Sequence, residues 1–264
     1  MGAWYNHLMS GCPWSLQPTL TAGATISEVS PGVWRFMLPN GDAKSYRLAQ
    51  LDDYSRLSRK DFLHRAPTTL SLRARASAQT LPGTWGFGLW NDPYSMGILS
   101  KSGLLRLPSF PNTAWFFFAS PPNYLSLRDD LPAQGSLAAT FHSPVWTAGL
   151  LPLSVFGLPL LALPPAARLL RRLLQRVIHQ AAIRLPVDPT TWHTYQLEWK
   201  TGQARFQVDE ATMLETDTSP EGPLGLVIWI DNQYLSFGPE GRLRYGFLEC
   251  ADSAWIEIGD LVLR

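Results

Sequence analysis

Three side chains stand out as able to move a proton: Asp92 and Tyr94 in Trp-Asn-Asp-Pro-Tyr, and His142 in Ala-Thr-Phe-His-Ser-Pro. His142 can act as acid or base beside Asp92 where a fold brings the two together, with Tyr94 as a third candidate. Isomerisation or cyclisation of a hydrophobic substrate needs no more than a shaped apolar cavity and one or two such groups. An isolated histidine is nevertheless more often a hydrogen-bonded structural residue, and that reading applies to His142 and to His193 alike. Asp52 and Asp53 are adjacent carboxylates, but neighbours on an extended chain point to opposite sides, so a solvated turn is expected there. Glu198 and Asp209 fall on polar faces, and Glu249 would become a site candidate only if burial raised its pKa. The sequence holds no phosphate-cradling glycine loop, no metal-ligand cluster, no Ser or Cys nucleophile motif and no basic-aromatic nucleic-acid signature. No cofactor, metal or nucleic-acid partner is expected.

The elements that would position these groups are strands. In Thr191-Trp-His-Thr-Tyr-Gln-Leu-Glu-Trp-Lys200, residues His193, Tyr195, Leu197 and Trp199 alternate with Thr194, Gln196 and Glu198, the period of a half-buried strand. Thr201-Gly202 reverses the chain, and Ala204, Phe206 and Val208 alternate with polar neighbours, which predicts an antiparallel hairpin. Residues 69–78 place Leu70, Leu72, Ala74, Ala76 and Ala78 on one face. Segments 33–38 and 43–51 flank Asn40-Gly41 and read as a second hairpin. Glycine inside the aromatic stretch 83–94 marks a close approach of backbone or ligand.

The stretch WHTYQLEWKTGQARFQVD resembles the aromatic-His-Thr-Tyr and Phe-x-Val-Asp strands of laminarinase- and lichenase-type glycoside hydrolases, family sixteen of the concanavalin A-like lectin/glucanase superfamily. LSLRARASAQTLPGTWGFGLW, ATFHSP, GPLGLVIWIDN and AWIEIGDLVLR are similar to further strands of that family and follow in its order. The resemblance covers residues 70–145 and 187–264. It implies an all-β jelly-roll β-sandwich of two antiparallel sheets, the concave one carrying a cleft. It also implies that Trp90, Asn91, Asp92, His142 and Trp229 stand near that cleft, with Trp229 as a stacking platform. One question stays open, whether Leu89 or Trp90 faces the cleft.

The family's catalytic strand presents Glu-x-Asp-x-x-Glu, whose outer carboxylates are nucleophile and acid/base. Retaining hydrolysis needs two such groups roughly 5 Å apart. The positions that align here are Trp115, Phe117 and Ser120. Ordinary hydrolysis of that type is therefore not expected, and whether the chain is an enzyme of another kind is open. A cleft floored by Trp115 and Phe117 suits apolar ligands or the flat faces of sugars.

Residues 131–167 contain no Asp, Glu, Lys or Arg. Within it, 145–163 is nearly continuous hydrocarbon and long enough to cross a bilayer, but Pro152 and Pro159 interrupt it and the strands on either side must join one sandwich. An apolar, partly α-helical insertion over 146–186 is predicted, placed to roof the cleft. Within it, 166–184 form an amphipathic helix with Leu169, Leu170, Leu173, Leu174, Val177, Ile178 and Ala181 on one side and arginines on the other. The helix packs on the sandwich or, through 146–184, lies on a membrane surface.

With 22 basic against 21 acidic residues the chain has no overall field to recruit a charged polymer. The 264 residues suit one large β-domain. Met-Gly-Ala-Trp-Tyr-Asn-His lacks the pattern of a secretory signal, and Cys12 and Cys250 read as isolated thiols, so a cytoplasmic protein, peripheral to the membrane if the helix docks, is expected. These features predict a non-hydrolytic glucanase-like protein. Trp90, Asn91, Trp115, Phe117, Ser120, His142 and Trp229 would line a site for a lipid, terpenoid or glycolipid. Besides catalysis on a hydrophobic substrate, a membrane-docked, carbohydrate-binding lectin is the alternative.

Overall fold

The computed structural model describes residues 16–93, 106, 108–131, 133–144 and 163–264. Two seven-stranded sheets pack face to face. In spatial order the first holds β1 (Gln17–Thr21), β4 (Leu48–Asp52), β13 (Gly225–Asp231), β6 (Thr84–Trp90), β7 (Thr113–Ala119), β8 (Gly135–His142) and β9 (His179–Arg184). The second holds β12 (Ala211–Thr216), β11 (Gln203–Val208), β10 (His193–Lys200), β5 (Thr68–Ala76), β16 (Ala254–Leu263), β3 (Val33–Leu38) and β2 (Thr25–Ser30). β14 (Gln233–Phe237) and β15 (Leu243–Phe247) form a separate hairpin, and α1 (Pro164–Val177) precedes β9. All strand pairs in both sheets are antiparallel, giving the predicted jelly-roll sandwich.

Period-two alternation builds the core. Phe36, Leu72, Phe87, Phe116, Tyr195, Leu197, Phe206 and Ile258 point between the sheets and are almost fully buried. The 193–208 hairpin forms as the pattern predicts, pairing Tyr195 with Val208 and Leu197 with Phe206. The first sheet is buried on its outer face as well, so β6, β7 and β13 are buried at every position. That double burial is why these segments read as continuous apolar runs rather than alternating ones.

Several expectations are corrected. Segments 33–38 and 43–51 do not form a hairpin, because β3 and β4 join different sheets. Gly41 instead pairs with Cys250, and their mutual backbone hydrogen bonds carry the chain across the sandwich edge. Ala78 is exposed, since β5 ends at Ala76. Asp52 and Asp53 are buried rather than solvated. Asp53 Oδ2 lies 2.5 Å from His64 Nε2 and its Oδ1 accepts from Leu226 N at 2.9 Å, while Asp52 accepts from Tyr54 N, Ser55 N and Gln50 Nε2. Burial of a carboxylate is tolerable only when donors converge on it in this way.

The predicted helix 166–184 stops at Val177, and His179–Arg184 become the edge strand β9, hydrogen-bonded to β8. An unpaired β8 edge offers those residues more backbone partners than another helical turn would. The helix also turns a different face inward. Leu169 and Leu173 are exposed, whereas Arg171 is buried. Arg171 donates to the carbonyls of Ser126 (2.9 Å) and Phe237 (2.8 Å) and to Asp129 Oδ1 (2.7 Å), and its guanidinium lies 5.3 Å from the Tyr124 ring centre. Leucine cannot satisfy these two carbonyls, so their placement decides which side of α1 faces in. The part of the predicted insertion at 146–162 lies outside the described residues. Among the described residues, no helix is long and apolar enough to cross a membrane.

Candidate functional site

The outer face of the first sheet is a grid set by register. Across β4, β13, β6 and β7, one row runs Gln50, Trp229, Gly86, Phe117, and the next Leu48, Asp231, Thr84, Ala119. Gly88 pairs with Trp115, and Trp90 continues the same face of β6. The glycines make room for the indoles. A Cβ on Gly86 would stand 2.4 Å from Phe116 O and 2.8 Å from the Trp229 ring, and one on Gly88 would stand 2.5 Å from Trp115 Cα. Gly86→Ala is expected to cost about 3 kcal/mol by forcing the strand and Trp229 apart, read as a lowered urea midpoint at unchanged m.

The rings form one cluster. Trp90 and Trp229 lie parallel within 5° at 6.4 Å, Trp115 stacks on Phe117 at 5.3 Å, and Trp115 and Trp229 are 5.4 Å apart. They floor a pocket whose walls add Tyr46, Leu48, Gln50, Thr84, Asn123, Leu125, Asp231, Gln233 and Leu235. A narrower extension runs beneath Leu125, Leu131 and Ala133 toward Phe141 and Gln180. The cover over this floor comes from residues 123–131 and Ala133 and from β14, and α1 clamps that cover from outside through Arg171.

Asp231 is the carboxylate of this pocket. Its Oδ1 accepts from Thr84 Oγ1 (2.8 Å), Thr84 N (3.2 Å) and Gln233 N (3.2 Å), while Oδ2 faces the Tyr46 hydroxyl at 3.5 Å. Trp229 Nε1 donates to Thr84 Oγ1 at 2.9 Å, so the same threonine orients both the indole and the acid. Burial pushes the Asp231 carboxyl up to about 7, against the pull of those hydrogen bonds. Because three donors already occupy Oδ1, the proton of the neutral form resides on Oδ2. Gln50 turns its amide nitrogen to Asp52 Oδ2 (2.9 Å) and Tyr54 Oη (3.4 Å), leaving Oε1 as its acceptor.

The predicted site residues divide. Trp90, Trp115, Phe117 and Trp229 come together as the pocket floor, and Trp90 rather than Leu89 takes the cleft side. Ser120 does not join them. Pairing of β6 with β7 runs unbroken, so alternation puts Ala119 on the Trp115/Phe117 face, and Ser120 instead holds Gly83 through its hydroxyl. Asn91 is engaged with Ser109, Phe110 and Asn112 beyond the end of β6. Asp92, at positive φ, faces Arg106 at 3.5 Å. His142 closes β8, its ring 6.0 Å from that of His179, in a surface hollow with Trp199 and Glu221. In the register of the sheet, β7 stands between the ends of β6 and β8, and the hollow that His142 lines does not include Asp92. Tyr94 lies outside the described residues. His193 bridges Asp209 Oδ2 (2.6 Å) and the Asp188 carbonyl (3.0 Å) at the rim of the second sheet, a structural clamp. Glu249 is exposed.

Sequence reading missed Tyr46, Gln50, Thr84 and Gln233, and gave Asp231 no role. An acid closing an otherwise apolar strand, Leu-Val-Ile-Trp-Ile-Asp, was the available signal.

The two-sheet fold is similar to that of a solved beta-glucanase. The Bacillus licheniformis beta-glucanase superposes with a TM-score of 0.50 at 11% identity, over 98% of this chain and 94% of that one. A family 16 glycosyl hydrolase from Mycobacterium smegmatis gives 0.47 at 11% identity over 95% and 91%, and a lichenase from a mouse hindgut metagenome 0.46 at 10% over 90% and 81%. Likeness at these identities concerns the fold alone. No family profile and no curated protein matches the sequence.

Proposed function

We propose that this chain is a non-hydrolytic, glucanase-like binding protein that takes an amphipathic small molecule in the pocket on the outer face of its first sheet. The observation that carries the reading is the lining: five aromatic rings and a single carboxylate. All 21 acidic residues of the chain lie among the described residues, and Asp231 alone of them lines the pocket. Retaining hydrolysis needs a pair roughly 5 Å apart across the scissile bond, and one acid cannot serve both roles. A pocket that is mostly apolar with a few convergent polar groups suits a ligand with a hydrocarbon or ring body and one polar end.

Organic extraction of the purified protein followed by mass spectrometry tests this. A stoichiometric lipid- or terpenoid-like molecule is expected from wild type and is expected to be missing from Trp115→Ala. Hydrolysis of β-glucan by the wild type, lost on replacing one carboxylate, would overturn the reading.

A further inference from the structure

We propose that the polar end of the ligand is a protonated amine, received by Asp231 Oδ2 and Gln50 Oε1 at one end of the aromatic pocket. This rests on the binding function proposed above and names the chemistry of its head group.

The argument starts from what the pocket offers. Asp231 Oδ1 is filled by three neutral donors, and Oδ2 has only the long contact to the Tyr46 hydroxyl. Gln50 has turned its NH2 away to Asp52 and Tyr54. Asn123, also on the wall, donates to Ser120 O and Gly83 O and accepts from Leu235 N, so it is already committed. Asp231 Oδ2 and Gln50 Oε1 are therefore acceptors open to the pocket, beside the Gln233 side-chain amide and the Tyr46 hydroxyl, and a donor head group can meet both.

Charge then separates an amine from a hydroxyl. Asp231 forms no ion pair among the described residues. Its titratable surroundings are phenols, Tyr46 on the approach to β4 and Tyr245 on β15, with Thr84 of β6 and Gln233 of β14 completing the shell. A buried carboxylate without a counterion stays neutral or waits for one. The electron-rich rings of Trp90, Trp115 and Trp229 favour the same sign of guest, since aromatic π systems attract cations and repel anions. Rings and acid thus select a positive head, whereas a hydroxyl would use the acid and gain nothing from the rings. A carboxylate or phosphate head would be repelled by both.

Isothermal titration with three probes of equal chain length, octylamine, octanol and octanoate, tests this on wild type and Asp231→Asn at pH 6 and 8. Octylamine is expected to bind wild type tightest at pH 8 and about tenfold more weakly at pH 6, where Asp231, with its carboxyl at about 7, is mostly protonated. In Asp231→Asn its affinity is expected to fall by about tenfold or more at pH 8 and to lose the pH dependence. Octanol should respond little to the substitution or to pH. If octanol matches octylamine in wild type at pH 8, or octylamine binds Asp231→Asn as well as wild type, the amine assignment is overturned while the apolar pocket stands. If none of the three binds wild type, the binding function itself is overturned. Thermal melts of the variant at both pH values report that it is folded.

Discussion

At pH 8, Asp231→Asn is expected to be more stable than the wild-type chain by up to about 4 kcal/mol, and near pH 4 the two should melt alike. The cause is linkage. The Asp231 carboxyl has an ordinary value of 3.8 and sits at about 7 in the fold, where burial disfavours its charge. Between those values the native state holds a proton that the unfolded chain has released, so stability falls as pH rises and levels off above about 7. The interval corresponds to about 4 kcal/mol. Asparagine reproduces the neutral form: its Oδ1 can accept from Thr84 and Gln233, and its amide can take the place of the protonated Oδ2. Burial also raises Asp52, and a hydrogen bond from His193 lowers Asp209, but both groups are shared by the two proteins and cancel in the difference. Urea titrations of both proteins at pH 4, 6 and 8 measure it. A constant difference across that range would show that Asp231 is charged throughout. A natural residue that costs stability in the empty pocket fits a group held for a ligand rather than for the fold.

Arg171→Leu is expected to destabilise the chain by about 3 kcal/mol, although it places leucine in a helix that already exposes Leu169 and Leu173. The loss comes from the groups left behind. Ser126 O would be left buried and Phe237 O half-buried without this donor, whereas Asp129, more than half exposed, can return to water. Arg171→Lys should recover part of the loss, because an ammonium reaches fewer of these acceptors than the guanidinium fork. Arg172→Leu, on the exposed side, should change the urea midpoint little. Hydrogen exchange adds a local readout: amides of residues 123–131, which cover the pocket, should exchange faster in Arg171→Leu than in wild type. Equal exchange would show that α1 does not hold the cover.

The β-sandwich was legible because its information is local. Tyr195, Leu197 and Trp199 alternate with polar neighbours whatever lies across from them, and Thr201-Gly202 turns the chain by its own conformational preference. The apolar strands 84–90, 113–119 and 225–231 were equally plain, and the missing carboxylates on 113–119 could be counted directly. Registration of the cleft wall was less secure. Ser120 seemed to occupy a site position because a spacing was carried over from a strand pattern with an extra residue, while the unbroken pairing here gives that place to Ala119.

Where burial acts on a polar group, pattern reading had no purchase. Asp52 and Asp53 look like a solvated pair, yet each meets donors supplied by the fold, among them His64 and the distant amide of Leu226. The helix at 164–177 shows one apolar stripe in sequence, but the carbonyls of Ser126 and Phe237 draw Arg171 inward and leave two leucines outside. By itself, then, the sequence determined the strands, their buried faces, the aromatic character of 84–90 and 113–119 and the absence of carboxylates from 113–119, all of which depend on residue type and period. Only the tertiary structure decided that Asp231 and Gln50 line one pocket with those rings and that Arg171 bonds the carbonyls of Ser126 and Phe237. A side chain's charge state and hydrogen-bond partners depend on which distant backbone comes within about 3 Å of it.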